Sequence, residues 1–118
     1  MPTSEGGFTP GTVVRVPFPC TGAEARQHRP ALVIAGTGPG PTPFPLWVVM
    51  ITSAANRGWP GDIDIPDTAA AGLPAPSVIR TAKIATIESA HAEARGQVGD
   101  ATLAAVRGEI ADRLGLAG

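Results

Sequence analysis

Two short segments place polar side chains next to apolar runs. Glu24, His28 and Arg29 stand just before the run ALVI, and Thr52 and Ser53 directly follow the run LWVVMI. A guanidinium offers paired donors to phosphate oxygens, and a hydroxyl adds one more. If neighbouring strands bring these ends together, the residue types suit a phosphodiester. The competing interpretations are a surface arginine before a strand and hydroxyls that only satisfy backbone groups at a strand end.

Other chemically suggestive patterns are weaker. The glycine-rich segment GTGPGP lacks the GK[ST] of a phosphate loop, and its prolines remove amide donors. Asp62 and Asp64 have no His or Cys nearby, which favours a solvated strand face over a metal site. Cys20, the one cysteine, is more typical of a small buried hydrophobe than of a nucleophile. We therefore expect no bound metal and no cofactor.

Length and composition narrow the class of protein. A chain of 118 residues suits a single domain over residues 1–118, because two domains would each bury too small a core. Its 15 Gly and 13 Pro demand many turns and exclude a helical bundle. One cysteine forbids an intrachain disulfide, which suits a reducing cytosol. Apolar runs far shorter than the roughly 20 residues of a membrane span, and no signal-peptide pattern, predict a cytoplasmic protein.

The charge is small but unevenly distributed. A net charge of −1 argues against a non-specific binder of long duplex nucleic acid, which needs a broad basic face. Residues 11–60 nevertheless carry a net charge of +3, whereas residues 61–118 carry −3. The chain can therefore offer a local basic site, in the half that contains Arg29 and Arg57.

Hydrophobic patterning predicts short strands over most of the chain. The alternation in TVVRVPF predicts a strand that Pro17 places at a sheet edge. The segments ALVIA and LWVVMIT are typical of buried strands, and the polar residues 19–28 and the Pro/Gly-rich residues 36–45 are predicted loops. Further strands are predicted at residues 62–65, 77–80 and 83–88, and residues 88–98 suit either a helical turn or a strand.

The last segment changes to a helical period. Asp100 is a good N-cap, and Gly115 is a good stop signal. Between them an apolar stripe recurs every three or four residues, as expected of an amphipathic helix. Five or six short strands with one terminal helix predict a mainly-β fold, a small antiparallel barrel with a C-terminal α-helix. The stripe consists of Leu103, Val106, Ile110 and Leu114.

Five segments in order resemble a known family: GTVVRVPFP, HRPALVI, VVMITS, GDIDIP and LPAPSVIRTAKIATIE. They are similar to the MazF/PemK (Kid-like) toxins of bacterial toxin–antitoxin pairs, from about Gly11 to Leu116. The resemblance implies an SH3-like barrel preceded by a flexible segment over residues 1–10. It also implies a bacterial homodimer that cuts single-stranded mRNA without a metal. A cognate antitoxin would block the site with its C-terminal segment.

The resemblance assigns roles by motif. Arg29 in HRP matches the family's catalytic arginine, Thr52 in ITS its catalytic threonine, and Glu24 an acid of the first loop. The reaction implied is attack of a ribose 2′-OH on the adjacent phosphorus, which gives a cyclic phosphate and a 5′-OH. Arg29 suits stabilisation of phosphoryl charge and is a poor base. Glu24 or His28 is then the candidate base, and Thr52 positions the phosphate.

Further residues are candidates for RNA contacts. Arg80 in SVIR matches an arginine of the family, but the aspartate that often follows two positions later is Ala82 here. Trp59 suits stacking on an unpaired base, although a lid over the core explains it equally well. The full set of candidate RNA contacts is His28, Ser53, Arg57, Trp59, Arg80 and Lys83.

Two other function classes remain open at this level. One is a non-enzymatic poison on the same barrel that resembles the gyrase-binding CcdB toxins, against which the pair of Arg29 and Thr52 argues. The other is an SH3-like binding module that has lost catalysis, for which Ala82 is the support.

Overall fold

The computed structural model describes residues 8–19, 26–36 and 45–116. Short 3₁₀ turns at Ala54–Asn56 and Ser89–His91 connect longer elements. Within the described residues no helix is long and apolar enough to cross a membrane. The strands are β1 (Thr12–Pro19), β2 (Arg26–Gly36), β3 (Pro45–Ser53), β4 (Asp62–Asp64), β5 (Ser77–Glu88) and β6 (Glu93–Gln97), and one helix follows, α1 (Asp100–Leu114).

The six strands form one antiparallel sheet in the order β4-β5-β3-β2-β1-β6. The predicted mainly-β fold with a C-terminal helix is confirmed. Hydrogen bonds do not close the sheet into a ring in the described part of the chain, because β4 and β6 remain its two edges.

Two apolar clusters lie on opposite faces of this sheet. Adjacent residues of a strand go to different clusters because side chains alternate between faces. Val13 and Leu32 belong to the cluster beneath α1, to which the helix adds the fully buried Val106. Their chain neighbours Val14 and Ala31 belong to the cluster on the other face. We call the face with the second cluster the outer face, since α1 covers the first.

The helix differs from its prediction at both ends. Its N-cap is Gly99, and Asp100 is the first helical residue and makes no capping bond with its side chain. Near the other end Leu114 is 66% exposed, so the apolar stripe ends one turn early. Gly115 caps the C-terminus with a φ of 75°, as predicted from the sequence. The side chains that pack on the sheet are Leu103, Val106 and Ile110.

The edge position predicted for β1 is wrong over the first half of the strand. There β1 pairs with β2 on one side and with β6 on the other. Pairing with β6 ends at Arg15, so among the described residues Pro17 has a partner on one side alone, His28 of β2. A half-edge position of this kind is where proline, which lacks the N–H that a ladder uses, is tolerated in a sheet.

The two strands predicted within residues 77–88 are one strand with a large bulge. Val49 of β3 lies opposite Ile84 of β5, but the next residue, Met50, lies opposite Arg80. Residues 81–83 are therefore extra residues of β5, and the bulge separates the two predicted segments.

Two other secondary-structure predictions agree with the structure in part. Strand β1 ends at Pro19 and β2 begins at Arg26, so the loop predicted over residues 19–28 is wrong for its first residue and its last three. Residues 88–98 contain both elements considered for them, a 3₁₀ turn followed by β6. Cys20 and most of the loop predicted over residues 36–45 lie outside the described residues, as do residues 1–7. Phe8 is half-buried and packs against the outer-face cluster.

Candidate active site on the outer face

The ends of β2 and β3 bring Arg29 and Thr52 onto the same face of the sheet. The ladder between the two strands runs from Gly36 opposite Leu46 to Ala31 opposite Met50. Arg29 and Thr52 each lie two residues beyond this final pair. Side chains two apart on a strand share a face, so both stand on the outer face with Ala31 and Met50. The guanidinium is exposed and the threonine is half-buried at the same end of two neighbouring strands.

The Thr52 hydroxyl has a defined partner. It accepts a hydrogen bond of 3.0 Å from the side-chain amide of Asn56, four residues later. Because the oxygen is the acceptor in this bond, its own O–H remains a donor for another group. An exposed guanidinium and a hydroxyl donor on one face and at one end of neighbouring strands are groups suited to binding phosphate oxygens.

His28 and Ser53 do not share the outer face. Each is the chain neighbour of a residue on that face, so strand alternation directs both to the opposite side. Ser53 accepts a bond of 3.1 Å from the N–H of Ala55 and thereby caps the 3₁₀ turn. The structure therefore separates His28 from Thr52, and Glu24 lies outside the described residues.

Arg80 is buried against Asp62. The two residues are cross-strand neighbours on β5 and β4, and their side chains are 10% and 8% exposed. Nε donates to Oδ1 at 3.1 Å and Nη2 donates to Oδ2 at 2.9 Å, the geometry of a two-pronged ion pair. Nη2 also donates to the carbonyl of Asn56 at 2.7 Å. The central guanidinium carbon of Arg80, Cζ, lies 4.2 Å from the ring centre of Trp59, within cation–π distance.

This ion pair shifts both ionisation equilibria toward the charged forms. The hydrogen bond from Arg80 lowers the pKa of the Asp62 carboxyl below its ordinary value, against burial, which raises it, and backbone N–H groups of Trp59 and Gly58 add to the lowering. The bond to Asp62 raises the pKa of Arg80. Both groups therefore stay charged at neutral pH.

The remaining candidates for RNA contacts are more exposed. Trp59 is 46% exposed, with Arg80 as its stacking partner. Arg57 pairs with Asp64 at 2.7 Å, but their side chains are 57% and 69% exposed. Such an exposed pair is weak, so a phosphate can displace the carboxylate. Lys83 is exposed in the bulge of β5, as is Ala82.

No metal site accompanies these residues in the part of the chain that the structure describes. There, His, Cys, Asp and Glu side chains do not gather in any group of three or more.

A family model for the PemK-like, MazF-like toxin of type II toxin–antitoxin systems matches residues 9–114. The chain belongs to this toxin family. No curated protein matches it.

Solved structures agree with this assignment. MazF (Form-I) from Deinococcus radiodurans is 27% identical, with a TM-score of 0.66 over 90% of this chain and 94% of that chain. MazE–MazF (Form-II) from the same organism is 24% identical, with a TM-score of 0.65 over 90% and 93%. An endoribonuclease in complex with its cognate antitoxin from a mycobacterial species is 18% identical, with a TM-score of 0.72 over 95% and 99%. The last two support the fold alone.

For this family member, the solvated face predicted for Asp62 is wrong. Its carboxylate is buried by Arg80 and also accepts two backbone N–H bonds of 3.2 Å, from Gly58 and Trp59. Sequence separation hid the pair, because the partners are 18 residues apart. The available signal was the antiparallel alignment of β4 with β5, which sets opposite charges directly across from each other.

The Asp62 carboxylate predicts a stability that depends on pH. Its pKa is lower in the folded chain than in the unfolded chain, where it is about 3.9. Its contribution is therefore fully present above that value and is lost as the pH falls through the folded-state pKa. We expect Asp62→Asn to lower Tm by several degrees from about pH 7 to about pH 5, and this difference to shrink below about pH 4. Calorimetric scans of both proteins across this range would contradict the assignment if the difference were independent of pH.

Proposed function

We propose that this family member is an endoribonuclease toxin that cuts single-stranded mRNA without a metal and thereby stops translation and growth. The observation that carries the proposal is the common face and strand end of Arg29 and Thr52. The chain's membership of the PemK-like, MazF-like toxin family and its 27% identity to a MazF structure support it.

The chemistry proposed is an internal transfer of the phosphoryl group. The ribose 2′ oxygen attacks the adjacent phosphorus, the bond from phosphorus to the 5′ oxygen breaks, and a 2′,3′-cyclic phosphate and a 5′-OH result. A base takes the 2′ proton, and an acid gives a proton to the leaving oxygen. Arg29 stabilises the charge that grows on the phosphoryl oxygens, and the Thr52 O–H binds one of them.

Glu24 is our candidate for the general base. Arg29 holds its proton at any physiological pH. His28 is directed to the opposite face, and the Asp62 carboxylate is bound by Arg80 and two backbone N–H groups. Thus neither described group is placed to take the 2′ proton beside Thr52.

The RNA substrate and the antitoxin partner would bind to the same surface, the outer face. Arg57 and Trp59 are exposed in the loop that follows Thr52, and Lys83 is exposed in the bulge of β5, so all three are accessible to the RNA backbone and bases. MazF of Deinococcus radiodurans has been solved as MazE–MazF. By analogy we propose that a cognate antitoxin covers this face, and that the toxin acts as a homodimer in the bacterial cytoplasm.

The decisive experiment is incubation of the purified protein with a long single-stranded RNA in excess EDTA, followed by mapping of the new ends. We expect discrete cuts with 5′-OH termini and cyclic phosphates. Intact RNA would contradict the proposal. In that case, growth arrest on expression without a partner would point to a binding toxin, and normal growth to an inactive module.

A further inference from the structure

The loop of residues 56–62, here called the Trp59 loop, is held by hydrogen bonds to the backbone of most of its residues. The Asn56 carbonyl accepts a bond from Arg80, and the Gly58 and Trp59 N–H groups donate to Asp62. The Pro60 carbonyl accepts a bond of 2.9 Å from a helix arginine, and the Gly61 carbonyl accepts one of 2.9 Å from the bulge. The two donors are Arg113 of α1 and Thr81 of β5.

Asp62 is the centre of this network. Its Oδ2 accepts three hydrogen bonds, from Nη2 of Arg80 and from the backbone N–H groups of Gly58 and Trp59. Oδ1 accepts the bond from Nε of Arg80. The carboxylate therefore fixes the backbone of Trp59 and, through the guanidinium, one face of its indole ring.

We propose that Asp62 is a positioning residue for the substrate, which holds Trp59 ready as a stacking surface for one unpaired base next to the phosphate at Thr52. This inference rests on the proposed function and names the group that organises its RNA site. Arg80 acts here beneath the ring and not as a direct phosphate contact, since its side chain is 10% exposed.

Pre-organisation is the physical reason for such a role. Stacking on an aromatic side chain tolerates any base, but immobilising a mobile loop during binding costs free energy. Here the loop is already fixed, and the indole is 46% exposed. Asn56 links the ring to the phosphate site, because its carbonyl binds Arg80 and its amide binds Thr52.

Whether removal of the Asp62 carboxylate weakens or strengthens RNA binding distinguishes a positioning role from a purely electrostatic one. Removal of a carboxylate near a bound polyanion strengthens binding if long-range charge alone operates. Loss of a positioning residue weakens binding. Asp64 provides the matched control, since it lies two residues away on the same strand and its ion pair with Arg57 is exposed.

The test measures binding of a fluorescently labelled 2′-deoxy oligonucleotide, which lacks the attacking hydroxyl and is not cut. Trp47→Phe makes Trp59 the sole tryptophan, because the chain has two. In this background we expect Asp62→Asn to raise Kd about tenfold and to reduce the quenching of Trp59 by the oligonucleotide. Asp64→Asn should bind with equal or higher affinity.

A double-mutant cycle with Trp59→Ala completes the experiment. If Asp62 acts through the ring, Asp62→Asn has little further effect on Kd once Trp59 is alanine. In RNA cleavage assays with Trp59 present, Asp62→Asn should raise KM more than it lowers kcat. A wild-type Kd for Asp62→Asn, or an equal loss in both backgrounds, would overturn the inference.

Further variants keep the inference distinct from folding and from cleavage. If Asp62→Asn does not fold, Arg80→Lys keeps the charge but loses the two-pronged pair, and the same loss of affinity through Trp59 is expected. Binding through Trp59 without RNA cleavage would contradict the proposed function alone. RNA cleavage that is indifferent to Asp62→Asn would contradict the positioning role alone.

Discussion

Replacing Arg29 by alanine is expected to abolish RNA cleavage in a protein that still folds. The side chain is exposed near the N-terminal end of β2, so its truncation leaves no cavity in either apolar cluster. Its guanidinium is the group proposed to neutralise the phosphoryl oxygens in the transition state. Removal of one such donor costs about 10²–10³ in rate. The cleavage rate of a defined single-stranded RNA and the Tm of both proteins measure the two halves of this prediction.

Arg15→Ala is the matched control. Arg15 is an exposed arginine on the adjacent strand β1, where it lies opposite Pro30 and so points to the face away from Arg29. It should cut RNA at the wild-type rate. Arg29→Lys keeps the charge but loses the paired donors, so an intermediate rate is expected. Wild-type cleavage by a folded Arg29→Ala would refute the assignment.

Replacing Gly72 by alanine is expected to cause a large loss of stability. Gly72 has a φ of +73°, which disfavours any side chain. A Cβ there would also run into the carbonyl oxygen of Arg95 and lie 2.8 Å from its carbonyl carbon. Backbone atoms of β6 cannot rotate away as a flexible side chain does. The left-handed conformation and the overpacking together should cost at least about 3 kcal/mol.

Gly108→Ala is the matched control, a glycine-to-alanine change that is expected to stabilise the protein. Gly108 lies inside α1, and a Cβ there meets nothing within 4 Å. Alanine should therefore raise the unfolding free energy by about 1 kcal/mol through helix propensity. Urea denaturation of both variants measures the difference. A Gly72→Ala protein as stable as wild type would show that the turn before β5 does not pack on β6 in solution.

Local patterns in the sequence were sufficient for most of the secondary structure. Strands β1 and β3 and the C-terminal helix follow from alternation, β-branched runs and a helical period. The errors occur where the deciding factor is a neighbouring strand. Pro17 predicts an edge along the whole of β1, but β6 pairs with the part of the strand before it. The bulge at residues 81–83 likewise follows from the pairing of β5 with β3.

The candidate site divides in the same way. Arg29 and Thr52 are recognisable in the sequence because each stands where an apolar segment meets polar residues, a property of the local sequence. Their common face follows from the register between β2 and β3. The sequence predicts a solvated face for Asp62, because its burial and hydrogen bonds come from Arg80, 18 residues away in the chain.

By itself the sequence determined the mainly-β class, the terminal helix, the family resemblance and the residue types for phosphate chemistry, because these depend on local patterns. The tertiary structure decided which side chains share the outer face and which are held apart from it. It also decided that Gly72 has no space for a methyl group and that Asp62 is buried in an ion pair. The physical reason is that strand register brings distant residues within hydrogen-bond distance, and no short stretch of sequence specifies that register.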